Sequence, residues 1–114
     1  MYISSMKSKL FRGSLDTIIL KLLSENKEMY GYEITQKVKE ITSGEMKITE
    51  GALYPALHKL EGKGLLSTDV RNIGNRMRKY YSLTKKGKAE VVEQVNEMHS
   101  FIASLNLILR PKLT

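Results

Sequence analysis

A chain of 114 residues, 41% of them apolar, can close one modest core, with or without an appended helix, and two prolines and eight glycines argue against a long disordered or collagen-like stretch. There is no cysteine, hence no disulfide or thiolate metal site; no apolar run approaches the roughly 18 residues that span a bilayer, and residues 1–9 lack the apolar centre of a signal peptide, so a cytoplasmic protein without cofactor or membrane partner is expected. The net charge of +7 is local: Arg71, Arg76, Arg78, Lys79, Lys85, Lys86 and Lys88 follow one another with no acid between them, while the other basic residues balance the 12 acidic ones. Such a segment is either a solvated face or a contact for a polyanion, and its position in the fold decides between the two.

Phe11, Leu15, Ile18, Ile19 and Leu22 recur at helical spacing and predict a first helix over residues 10–24; Leu20 and Leu23 widen its apolar stripe, as in a centrally packed helix. After a loop at Asn26 and Lys27, a second helix is expected from about Gly31, with Ile34, Val38 and Ile41 on one face and Thr42-Ser43-Gly44 as its stop. Thr49 is a good N-cap for a third helix over residues 49–61, which turns Leu53, Leu57 and Leu60 inward and closes at Gly62 and Gly64. Pro55 falls in its second turn, where a proline removes a hydrogen bond at a cost of about 3 kcal/mol. Such local conflicts are commoner at functional sites.

The period then shortens. Leu66, Thr68 and Val70 alternate, Gly74-Asn75 is a two-residue hairpin signal, and residues 78–83 read as the returning strand. The basic residues therefore sit at a hairpin tip, on the returning strand and just beyond it, which favours the polyanion contact. Thr84 caps a last helix that runs to Leu109 and stops at Arg110-Pro111; at about 1.5 Å per residue it is roughly 39 Å long. Val91, Val95, Met98, Ile102, Leu105 and Leu109 form a heptad seam along it, with Phe101 and Ile108 as a second line, which predicts pairing with a second copy.

Three helices, a hairpin and a long helix describe an α+β, mainly α chain: a winged helix-turn-helix over residues 1–83 and a dimerisation helix over 84–114. In this class one helix enters the major groove and its N-terminal residues reach the bases. The third helix offers Thr49 and its own N-terminus to phosphate, Gly51 for close backbone approach, the Tyr54 hydroxyl, and the charge of Lys59. Tyr32, Lys47 and His58 complete that half of the candidate set. The hairpin contributes Gly74, Asn75, Arg76, Arg78 and Lys79, which can straddle the backbone with an arginine in the minor groove. Because strong base readers are few, shape is expected to carry much of the specificity. His58 and Tyr32 have a plain reading as surface residues, Tyr30 as a packing residue, and His99 as an interface residue.

Rival functions find less support. The chain has no Gly-rich phosphate loop, cysteine nucleophile, His-Glu-x-x-His pattern or nucleophile elbow, so an enzyme is not expected. Sequence-specific RNA recognition needs exposed aromatics, and the wing has only Tyr80 and Tyr81, one of which faces inward.

Specific motifs accompany this pattern. Leu10-Phe11-Arg12-Gly13-Ser14-Leu15-Asp16, Met29-Tyr30-Gly31-Tyr32-Glu33-Ile34, Thr49-Glu50-Gly51-Ala52-Leu53-Tyr54-Pro55-Ala56-Leu57 and Arg78-Lys79-Tyr80-Tyr81-Ser82-Leu83-Thr84 resemble, in order, the opening helix, second helix, recognition helix and returning wing strand of PadR-family regulators. The single long last helix is similar to that of the family's short subgroup. The resemblance implies a homodimer that binds double-stranded DNA at an inverted repeat and represses a nearby gene. It also implies release by a small apolar or aromatic effector, which in some members enters between the long helices and stacks on tryptophan. This chain has no tryptophan; Met98 stands at that place, and Leu10, Gly13, Thr17 and Val95 join it as candidate lining.

Overall fold

The computed structural model describes residues 5–111, with side chains from residue 11 onward. The elements are α1 (Ser5–Glu25), β1 (Met29–Tyr30), α2 (Gly31–Ile41), α3 (Glu50–Gly62), β2 (Leu66–Ile73), β3 (Arg76–Leu83) and α4 (Lys85–Leu109). This is a winged helix-turn-helix with a long C-terminal helix, mainly helical, as the periodicities predict.

α1 is the central element, packed against α3, β3 and α4. Its broad stripe is the reason: Leu15, Ile19, Leu20, Leu22 and Leu23 are all buried. α2 adds Ile34 and Val38, and α3 adds Leu53, Leu57 and Leu60, which have no exposed surface. Each such side chain contributes about 1.5–3 kcal/mol by leaving water. Burying that one line of α3 determines what stays outside: Glu50, Gly51, Tyr54, Pro55 and His58 are all exposed.

β1 is an element that periodicity does not announce. Its two residues pair antiparallel with β3, Met29 with Tyr81 and Tyr30 with Tyr80, giving the sheet order β1-β3-β2. β2 and β3 form the wing, in register from Leu66 with Leu83 to Ile73 with Arg76. Gly74 has φ 63° and Asn75 stays outside the left-handed region, which places glycine first in a two-residue turn of the II′ kind.

The helix ends are fixed by local chemistry. The Thr49 hydroxyl accepts from the Ala52 N–H at 3.2 Å and caps α3. At its other end, the Leu65 N–H donates to the Leu60 carbonyl and the Gly64 N–H to that of Glu61, at 3.0 and 2.9 Å, a Schellman closure. Thr84 then does two things: its hydroxyl accepts from the Gly87 N–H at 3.0 Å and donates to the Gly64 carbonyl at 2.7 Å. Its N–H donates to the Leu65 carbonyl at 3.0 Å. A Cβ on Gly87 would collide with that same carbonyl oxygen, so α4 passes the end of α3 at a distance only glycine allows.

The first half of α4 lies on the body, where the Thr17 hydroxyl donates to Gln94 Oε1 at 2.8 Å. The heptad spacing predicts Val91 on a seam between two copies; instead it is 6% exposed, in the protomer's own core. Val95 is half-buried against that core. The reason is geometric, since α4 leaves the body only after this turn. Phe101, Ile102, Leu107, Ile108 and Leu109 then stand exposed.

Candidate nucleic-acid interface

The exposed ridge of α3 is flanked by two clefts. One, of about 570 Å³, separates it from the wing and is lined by Gly31, Tyr32, Tyr54, Arg76, Met77 and Lys79 among others. The second, of about 550 Å³, lies between α1 and α3 and includes Arg12, Asp16, Thr49, Gly51, Pro55 and Lys59. Of the candidate contacts, Tyr32, Tyr54, Arg76, Arg78 and Lys79 thus fall on one side of the helix and Thr49, Gly51 and Lys59 on the other, while His58, Gly74 and Asn75 line neither cleft. Arg12 was not among them, and Lys47 stands exposed in the loop before α3.

On the ridge, a Cβ added at Gly51 meets no atom within 4 Å, so backbone is open to a ligand there. Pro55 has no N–H, which leaves the Gly51 carbonyl without the donor four residues on. Tyr54 leans the other way: its ring covers Gly31 at the start of α2, yet it stays 45% exposed. His58 and Tyr32 are also exposed.

The cations are less free than their sequence suggests. Lys59 Nζ is 2.8 Å from Asp16 Oδ2, and Lys79 Nζ is 3.5 Å from Glu61 Oε1 and 5.5 Å from the centre of the Tyr81 ring. Arg78 lies 4.1 Å over the Tyr30 ring. Arg71 donates to both carboxylate oxygens of Glu28, at 2.5 and 2.6 Å, and through Nε to Asp69 at 2.9 Å. That fork holds the Glu28 carboxyl below the usual carboxylate range, against a smaller opposing effect of burial. Arg76, at the wing tip beside exposed Gly74 and Asn75, has no side-chain partner among the described residues. Exposed ion pairs contribute only about 0–1 kcal/mol, so Lys59 and Lys79 can exchange a carboxylate for a phosphate at low cost. The bidentate fork of Arg71 is harder to replace.

The candidate effector lining is brought together in part. Thr17, Val95 and Met98 line an apolar groove of about 440 Å³ between α1, α2 and α4, with Ile18, Met46 and His99. Gly13 does not line it, and the Leu10 side chain lies outside those described. No cluster of three or more His, Asp or Glu suited to a metal occurs among the described residues.

The model of the transcriptional regulator PadR-like family matches residues 19–93. The chain belongs to the PadR-like family. It is 41% identical over 95 residues to an uncharacterised protein of Lysinibacillus sphaericus, covering 81% of this chain and 84% of that one. It is 34% identical over 82 residues to a transcriptional regulator of Mycobacterium tuberculosis, covering 72% and 73%. A solved transcriptional regulator from Clostridium thermocellum superposes with a TM-score of 0.82 at 30% identity, over 90% of this chain and 99% of that one. This PadR-like protein is accordingly a DNA-binding transcriptional regulator and not an enzyme. None of its described helices is long and apolar enough to cross a membrane.

Proposed function

We propose that this PadR-like regulator represses a nearby gene in the cytoplasm by binding an inverted-repeat operator as a homodimer. Residues 1–83 read DNA and residues 84–114 hold the two copies together. The α3 ridge enters the major groove, with Thr49, Gly51, Tyr54, His58 and Lys59 toward the duplex; the wing, through Gly74, Asn75, Arg76, Arg78 and Lys79, follows the adjacent backbone, and Tyr32 and Lys47 flank the ridge. The observation that carries this is the exposed ridge beside a wing whose tip arginine has no side-chain partner among the described residues.

The second copy is argued from the apolar end of α4, which single-chain burial leaves exposed at Phe101, Ile102, Ile108 and Leu109 and only partly covered at Met98 and Leu105. Two copies present two α3 helices about one helical turn of DNA apart. A small apolar or aromatic effector fits the groove at Thr17, Val95 and Met98, where it favours a dimer geometry with mismatched helix spacing.

The deciding experiment is binding of the purified protein to DNA from upstream of its own gene against a scrambled duplex, at two salt concentrations. Preference for the upstream fragment, with log K falling steeply against log salt, supports the reading. Absence of any binding at low salt overturns it.

A further inference from the structure

Most of the wing stands clear of the rest of the sheet. Among the described residues β1 pairs with Tyr80 and Tyr81 of β3, and from Val70 with Lys79 to Ile73 with Arg76 the two wing strands have no third strand beside them. A lone two-stranded ribbon is marginal in water and free to pivot on its base. On its inner face Glu61 of α3 accepts from Thr68 at 3.2 Å and from Lys79 at 3.5 Å. A larger set of contacts lies on its outer face, where Asp69, Arg71, Arg78 and Tyr80 point to the same side because residues two apart and cross-strand partners share a face.

Arg71 crosses the Tyr80 ring at 4.2 Å and grips Glu28 with both terminal nitrogens, while its Nε holds Asp69. Arg78 covers Tyr30, and Tyr30 meets Tyr80 edge-on with ring centres 5.5 Å apart. Glu28 precedes β1, and β1 runs straight into α2. The fork therefore ties the wing to the segment that carries Gly31, against which Tyr54 of α3 rests. About a third of each side chain is exposed, 37% for Arg71 and 31% for Glu28, so the pair adds little to global stability. What it contributes is orientation.

We propose that the Glu28–Arg71 pair sets the angle of the wing relative to α3, so that Arg71 is a positioning residue and makes no phosphate contact, although it belongs to the basic run. This rests on the DNA-binding reading given above. A lysine cannot substitute, because a point charge makes no fork.

The test compares the full-length protein with Glu28→Gln and Arg71→Lys, on a 30-bp duplex from upstream of its gene and on a scrambled duplex, over a salt series. Amide relaxation is measured in parallel without DNA. Both variants should bind the upstream duplex about 5- to 10-fold more weakly, with the salt slope unchanged, even though Glu28→Gln raises the net charge. In the DNA-free protein the order parameters of residues 72–78 should fall from about 0.85 to below about 0.6. Tighter binding and a steeper slope in Glu28→Gln would make Arg71 a phosphate contact and overturn the proposal. Unchanged order parameters would overturn it too, as would a drop in Tm above about 8 °C, which would make the pair part of the global fold. If the parent protein binds no duplex, the DNA-binding reading fails, and the relaxation arm still decides whether the fork holds the wing.

Discussion

The ring of Tyr54 lies so close to Gly31 that a Cβ on the glycine would stand 2.8 Å from the ring's Cζ. α2 and α3 thus meet through a missing side chain on one helix and an aromatic on the other, and the aromatic keeps its outer edge in solvent.

Gly31→Ala should therefore affect binding more than folding. The methyl fits only if Tyr54 swings outward, and its distal atoms are free to do so because the residue is 45% exposed. The expected result is a Tm within about 8 °C of the parent, a change of about 1 kcal/mol or less, with DNA affinity lowered about tenfold. Calorimetry and fluorescence anisotropy on the same samples check this; unchanged affinity would remove Tyr54 from the DNA-facing set.

Gly87→Ala should do the opposite. Its neighbour is the carbonyl of Leu65, backbone already engaged by the Thr84 N–H, and it cannot turn aside. Overpacking of this kind costs about 1–3 kcal/mol. Urea titration should show the loss, and parental stability would mean that α4 can lift from the junction without strain.

Gly51→Ala separates contact from stability within α3. No atom stands within 4 Å of the new methyl, and alanine favours the helix by up to about 1 kcal/mol. The variant should fold at least as well as the parent and bind operator DNA distinctly more weakly, by gel shift or anisotropy. Parental binding would show that the α3 backbone stays away from the duplex.

Arg76→Ala should weaken binding to upstream and scrambled duplexes alike, and lower the slope of log K against log salt by about 1. A slope equal to that of the parent would mean that the wing tip touches no phosphate.

Ile102→Lys should give a monomer by sedimentation and weaken operator binding, because it puts a charge on the exposed apolar face of α4. A variant that remains dimeric rules out this face as the essential contact. Val91→Lys should instead unfold the chain, since that position is core.

The helices and the wing were legible because their determinants are local. Thr49 and Thr84 cap N–H groups three residues on, Gly64 and Gly74 shape the turns they sit in, and the line Leu53-Leu57-Leu60 names the buried face of α3 and, by subtraction, the exposed one. β1 was not legible, since two residues carry no period. The pairing of charges was equally hidden: Glu28 and Arg71 are 43 positions apart, and ion pairs leave no pattern in the chain. A segment free of acids in sequence therefore drew Glu28 and Glu61 from elsewhere. Val91 shows a different limit, because one heptad spacing serves both a core inside a protomer and a seam between two.

The peptide at Leu65 donates to the end of α3, accepts from Thr84 and abuts Gly87. It pins the foot of α4, a rod about 37 Å long that Val91 and Gln94 hold to the body further along, and a tilt of about 5° at that foot would carry the far end about 3 Å. In the proposed dimer, a displacement of the distal tip would reach the foot of the wing and the tail of α3 through these few packed groups.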